Sequence, residues 1–295
     1  MKSLRQLRAR LLGYESQGRN VQNGMVQTPV IVRANEALND AIATYEFHIQ
    51  GLYTSLMLSG TPQAVAIPND ITRITQIYGV GPTSGERIEL KRWKQVPTAQ
   101  TNLLYLDDVT ALSALAYTTV NVFYEYLQRK LSSDLAIATA VNTAGAFAML
   151  ITGGTPAASW VSPGYVELSI PFAATDVREV VRYDGLLAAG FTNVTRGVEG
   201  HAQVWTVGTL VSAVYEAPES TVPLILAKAH GNMTEAWIRH RDMYAAWSQD
   251  LNEIPLAVPD LIDIASMWHA RAAEQRTRVR DVPTPSHVKT KGRRS

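Results

Sequence analysis

Glu179-Val180-Val181-Arg182-Tyr183-Asp184-Gly185, then Phe191-Thr192-Asn193-Val194-Thr195-Arg196-Gly197-Val198-Glu199-Gly200, then Gly208-Thr209-Leu210-Val211: the fold of this 295-residue chain turns on these runs. They are crowded with β-branched and aromatic residues, and Asp184-Gly185 and Arg196-Gly197 punctuate them. Short strand-like runs cut by glycine turns predict antiparallel β structure. The pattern continues upstream, where Ser162-Pro163-Gly164 precedes Tyr165-Val166-Glu167-Leu168-Ser169-Ile170. Residues 132–216 therefore read as an inserted all-β domain. No charge falls between Asp134 and Glu167, a length that would cross a bilayer. Thr139, Asn142, Thr143, Thr152, Gly153, Gly154, Pro156 and Ser159 interrupt that stretch, which reads as strands with a turn at Gly153-Gly154-Thr155-Pro156.

Outside this block the period changes. Leu4, Leu7 and Leu11 predict a short helix over 2–12 with an arginine face. Thr28-Pro29 is a helix start, and Ile31, Ala34, Leu38, Ile42, Tyr45, Ile49, Leu52 and Leu56 predict one long helix ending near Ser59-Gly60. Asp70–Tyr78 and Arg87–Lys91 predict a hairpin around Gly79–Gly85, and Thr118–Tyr126 another strand. Helix returns at Ser220, with Leu226, Ala229, Met233, Trp237, His240 and Tyr244 on one face as far as Trp247. A shorter helix opens at Asp260 with Leu261, Ile264, Ala265, Trp268 and Ala272; the tail from Arg276, bearing Pro283 and Pro285, reads as extended. The expected fold is α+β. A helical adaptor-type domain with long N- and C-terminal helices and a β-hairpin (1–131 and 217–275) carries the inserted β domain (132–216) and the basic tail (276–295).

Composition is globular, with 46% hydrophobic and 18% charged residues. The absence of cysteine excludes disulfides, thiolate metal sites and cysteine nucleophiles. The net charge of +1 hides a polarised chain: +4 over residues 1–20, +6 over 271–295 and therefore −9 between. A uniformly basic nucleic-acid binder is excluded. No signal-type apolar run follows Arg10, and no membrane partner is expected.

Catalytic patterns are absent. His48, His201, His230, His240, His269 and His287 include no H-E-x-x-H pair, although His230, Trp237 and Arg241 could share a helical flank. There is no G-x-S-x-G elbow. Asp107-Asp108 are adjacent and would diverge on regular structure. Gly79-x-Gly81-x-x-x-Gly85 lacks the Lys-Ser/Thr of a phosphate loop and precedes a strand. Among Trp93, Trp160, Trp205, Trp237, Trp247 and Trp268, only Trp93 lies in a basic cluster, Lys91-Arg92-Trp93-Lys94, which could touch nucleic acid or an acidic surface but reads more simply as a solvated strand end. No cofactor is expected.

The opening runs, with Gly164-Tyr165-Val166-Glu167-Leu168 before them, resemble a small β module that recurs in virion proteins of tailed bacteriophages. Its signature falls here on Glu179, Arg182, Tyr183, Arg196, Gly197, Gly200, Gly208 and Thr209. The chain departs from it at His201, where the module has threonine, and at Trp205, near its usual histidine. The flanks, with Asn35-Glu36-Ala37-Leu38-Asn39-Asp40 and Ile67-Pro68-Asn69-Asp70, resemble head-to-tail adaptor proteins of tailed phages. That resemblance implies a structural, non-enzymatic neck protein of the virion, assembled in the host cytoplasm. Such proteins form rings beneath the portal, typically twelvefold, joined to a downstream tail, nozzle or fibre protein, with viral DNA passing through. It also implies a C-terminal tail docked on the portal, here Arg276, Arg278, Arg280, Lys289, Lys291, Arg293 and Arg294. A tail, baseplate or fibre-attachment protein is the runner-up, and a cell-wall or polysaccharide hydrolase a third reading without a carboxylate pair to support it.

Overall fold

The computed structural model describes residues 1–12, 28–56, 63–67, 70–81, 87–97, 102–106, 119–132, 135–138, 140, 148–152, 160–169, 177–250 and 254–280. The chain divides into two compact units, one of Met1–Leu4 with Tyr45–Ala217, the other of Arg5–Thr44 with Pro218–Ser295.

The first unit is built of strands. β9 (Leu135–Ile137), β10 (Ala148–Thr152), β11 (Gly164–Ser169), β12 (Arg178–Leu187), β13 (Gly190–Glu199) and β14 (Leu210–Tyr215) pair in the order β14-β11-β12-β13-β10-β9. β9 also pairs with β14, at Val211↔Leu135, which closes a six-stranded antiparallel barrel. β1 (Lys2–Ser3) adds to β14 at Lys2↔Tyr215. Inside the barrel Phe191 packs against Tyr183 at 4.6 Å and edge-on to Trp160 at 5.3 Å. Val166, Leu168, Val180, Val211 and Ile137 are buried with them. Each such side chain contributes about 1.5–3 kcal/mol by leaving water.

A four-stranded sheet follows the order β2 (His48–Leu56), β8 (Thr119–Leu127), β4 (Ile71–Val80), β5 (Arg87–Glu89). The expected hairpin pairs at Tyr78↔Glu89. On β8 alternate residues Val120, Val122, Tyr124 and Tyr126 are buried, the period-two signature of a half-covered strand. A three-stranded sheet runs β3 (Gln63–Ile67), β7 (Asn102–Leu106), β6 (Trp93–Pro97). Ile67, Ile74, Ile77, Leu104, Leu106, Val122 and Tyr124 belong to one buried cluster.

The second unit is helical. α1 (Leu4–Leu11) and α2 (Thr28–Thr44) precede the strands; α3 (Val222–Arg239), α4 (Arg241–Asp250) and α5 (Val258–Arg280) follow them. α3 packs on both α2 and α5. Pro223 stands in its first turn, where a missing N–H costs nothing. Gly231 lets α5 approach closely, since a Cβ there would lie 2.5 Å from the His269 ring.

The expected α+β fold, a helical adaptor-type domain with long terminal helices, is overturned. The chain is mostly β, with a closed six-stranded barrel and a few helices. The long N-terminal helix stops at Thr44, and its second half is β2, paired with β8 from His48↔Leu127 to Leu56↔Thr119. Apolar residues three apart point to opposite faces of a strand, so the spacing itself favours helix; pairing with β8 overrides it and turns Ile49 to a core made by distant strands. β3, β6 and β7 carried no periodic signal of their own. The helix expected from Ser220 to Trp247 is interrupted at His240, whose backbone leaves helical geometry. At the far end α5 continues to Arg280, so Arg276, Arg278 and Arg280 lie on helix rather than on an extended tail.

Candidate functional site

Among the described residues, the buried arginine–carboxylate networks of the first unit include two that each draw on several partners. The first is centred on Glu179, which has no exposed surface. Register along β12 and β13 shifts between Val180↔Glu199 and Arg182↔Thr195, so Arg196 to Val198 bulge out of the ladder. The bulge returns Arg196 to Glu179 as a fork. Nε donates to Oε1 and Nη2 to Oε2, both at 2.7 Å. The Gly197 N–H adds a bond to Oε1 at 2.8 Å, and Trp205 Nε1 donates to Oε2 at 2.6 Å. Arg196 Nη2 also donates to the carbonyl of Gln203, at 2.6 Å. Burial pushes the Glu179 carboxyl up, but these bonds from Arg196, Trp205 and Gly197 outweigh it and hold it below its usual value.

The other signature residues serve the same framework. Gly197, Gly200 and Gly208 have φ of +66°, +81° and +85°. At Gly200 a Cβ would also sit 2.6 Å from the Arg178 carbonyl oxygen, so backbone packs where a side chain would be. Thr209 is buried beside Gly208, and its carbonyl accepts from the Ile137 N–H across the β9–β14 closure. Tyr183 donates to the Val161 carbonyl at 2.8 Å. Arg182 bonds Asp184 and the Leu52 carbonyl, both at 2.9 Å, which ties β12 to β2. His201, where the module has threonine, is exposed. Trp205 is a ligand of Glu179, so the departure from the module lies inside the network.

Sequence reasoning did not assemble the second network. Arg129, just beyond β8, donates from Nε to Asp70 Oδ2 at 2.5 Å and from Nη1 to the Pro163 carbonyl. Its guanidinium lies 4.5 Å over the Tyr126 ring and 4.0 Å from Glu216 Oε1. Tyr126 donates to Glu216 Oε2 at 2.5 Å. The Gln128 side-chain oxygen accepts from the N–H groups of Glu216 and Ala217. Burial pushes Glu216 above the usual carboxylate value, against the opposing charge of Arg129 and the bond from Tyr126. Burial likewise raises the Tyr124 and Tyr126 hydroxyls, which stay protonated. A cleft of about 260 Å³ opens here, lined by Gln50, Tyr124, Tyr126, Tyr165, Arg182 and Glu216 among others. One carboxylate, one guanidinium and three phenols could hold a small polar group. Glu216 and Asp70 both lie on the Arg129 guanidinium, so neither is left as an isolated acid or base. The one sequence signal was Asp70, the last residue of the Ile67-Pro68-Asn69-Asp70 run; its partners are remote in sequence.

The remaining sequence candidates are dispersed. Lys91, Arg92 and Lys94 are exposed, while Trp93 packs on the sheet core. His230 stacks on Trp268 at 4.3 Å, and Trp237 meets Tyr244 instead. Burial, reinforced by the charge of Arg271, lowers His230 to about 4. His269 bonds Glu235 at 2.8 Å. Among the described residues no group of three or more histidines and acids converges on a metal position. Likewise no helix there is long and apolar enough to cross a membrane. Arg276 and Arg278 are exposed on α5, with Arg278 paired to Glu274 at 2.5 Å. Lys289, Lys291, Arg293, Arg294, His287, Asp107, Asp108, the loop 82–86 and the turn 153–156 lie outside the described residues.

No family, no curated protein and no solved structure matches this chain.

Proposed function

We propose that this chain is a structural protein of a tailed-phage virion, placed at the head–tail junction, where it assembles with copies of itself and contacts the portal and a tail component. The observation that supports this most is the use made of the module signature. Glu179, Arg196 and Gly197 are consumed in a saturated buried network that holds a barrel loop. Residues spent in that way are framework, as expected of a module reused for assembly rather than chemistry. The exposed arginines near the end of α5, continued by a basic tail, suit docking on an acidic surface. A chain passing DNA would gain from an acid-rich middle, which does not hold phosphate.

With the helical adaptor fold overturned, the predominance of β structure favours a second reading, a tail or baseplate protein. Mass measurement with negative-stain microscopy on the purified chain separates the two. A ring of about twelve copies with a central pore supports the junction protein, since a head-to-tail contact closes only at a set rotation. Trimers support the tail reading, and a stable monomer that never joins portal-bearing capsids defeats both. Removal of residues 281–295 is expected to leave a folded chain that no longer joins such capsids.

A further inference from the structure

Beside the larger cleft, Glu216 lines a second cavity of about 30 Å³, shared with Gln128, Arg129, Trp160, Tyr165 and Tyr183. That volume admits an occupant the size of a water molecule. Two residues of its wall carry a buried N–H with no acceptor in the protein, Nη2 of Arg129 and Nε1 of Trp160. Neither group is free to turn away. Arg129 is pinned through Nε to Asp70 and through Nη1 to Pro163. Trp160 is 7% exposed, with its ring held edge-on by Phe191 at 5.3 Å and by Tyr183 at 6.4 Å. Buried donors in folded proteins are nearly always paired, by solvent where protein cannot reach. Donors of this kind, one of them charged, call for a compact acceptor.

We propose that this cavity is a binding site for one small hydrogen-bond acceptor, a water molecule or a halide ion, bridging the Arg129 guanidinium and the Trp160 indole. The occupant completes the hydrogen bonding of the arginine that links the end of β8 to the Asp70 turn and the start of β11. The two sources share the acceptor role and differ in one respect. Water can donate in turn to Glu216; a halide cannot, and would sit beside that carboxyl.

Crystals of the full chain, native and soaked in sodium bromide, distinguish the two. A single density peak is expected within about 3 Å of both nitrogens. An anomalous bromine signal at that peak assigns a halide; the same peak without it assigns water. A thermal midpoint that rises when chloride replaces acetate at constant ionic strength accompanies the halide and stays flat for water. Two results overturn the proposal: no peak between the two nitrogens, or an indole N–H bonded to a protein oxygen with the cavity closed. In Trp160→Phe the peak should be lost or displaced, and a peak unchanged in place removes Trp160 as a ligand. Should that variant fail to fold, the presence or absence of the peak in the native crystals still upholds or overturns the site.

Discussion

The Glu179 and Arg129 networks lie in the same unit and use the same chemistry, yet they are finished to different degrees. Around Glu179 every partner comes from within about one hairpin of sequence, and the carboxylate takes four bonds at 2.6–2.8 Å. Around Arg129 the partners come from residues 70, 126, 163 and 216, and Asp70 Oδ1 and Arg129 Nη2 have no protein partner. Burial desolvates both networks, the first more completely, yet only the first leaves no buried polar atom of its pair without a partner. A local network can be closed by one bulge. A network drawn from four places must accept the geometry that two sheets leave it, and cavities collect around it.

Removing Glu179 should have the largest effect. Glu179→Ala strands the Arg196 charge and two N–H groups in the interior, and a loss of about 3–5 kcal/mol is expected from urea denaturation. Arg129→Ala should cost less, about 1–3 kcal/mol, because Asp70 is 27% exposed and can regain water. If Arg129→Ala proves the more damaging, the contrast between the networks is wrong. Gly200→Ala, where a left-handed φ and a 2.6 Å contact coincide, should cost about 2–3 kcal/mol by thermal denaturation. Gly208→Ala has the same handedness but nothing within 4 Å of its Cβ, so about 1 kcal/mol is expected. Equal costs would mean that backbone conformation alone, not the packing beneath the bulge, sets the penalty.

The smallest effect is the sharpest, because its sign differs between the networks. Glu216 has a raised carboxyl value, so its native state holds the proton more tightly than the unfolded chain. Its contribution is complete below the ordinary value of 4.5 and is lost as pH rises through the raised native value. Glu179 has a lowered one, so its contribution is complete above 4.5 and is lost as pH falls through the lowered native value. Urea midpoints across pH should therefore show Glu216→Gln removing a loss on the alkaline side of 4.5. Glu179→Gln should remove a loss on the acid side. Slopes of one sign in both variants would show that the two carboxyls share one environment.

Much of the barrel was readable because its strands are close in sequence and rich in β-branched and aromatic residues, but the expected turns were misplaced: Asp184-Gly185 lies inside β12 and Arg196-Gly197 in the bulge of β13, and the chain reverses between Leu187 and Gly190. Gly197, Gly200 and Gly208, prominent in the pattern, all take positive φ. The hairpin joining β4 to β5 and the alternation of β8 were readable for the same reason. Residues 45–56 misled, because their helical apolar spacing was overridden by pairing with β8, a strand distant in the chain. β3, β6 and β7 announced nothing, since each is five residues long and becomes a strand only by pairing. At the site the Glu179 partners all lay within 26 residues of it, Arg196 and Gly197 in a β-rich run and Trp205 between two such runs. Those of Arg129 did not, and no local pattern links Asp70 to Glu216.

By itself the sequence determined what is local: the glycine positions that take positive φ, the alternation of β8, the absence of cysteine chemistry, and the basic ends that flank an acid-rich middle. Those follow from φ preferences, side-chain period and charge, which need no neighbour distant in the chain. Tertiary structure decided that β2 is a strand, that β9 meets β14 to close a barrel, and that Arg129 gathers Asp70, Pro163 and Glu216 about itself. Burial and strand pairing are properties of the assembled unit, and their energies outweigh the weak intrinsic preference of any single segment.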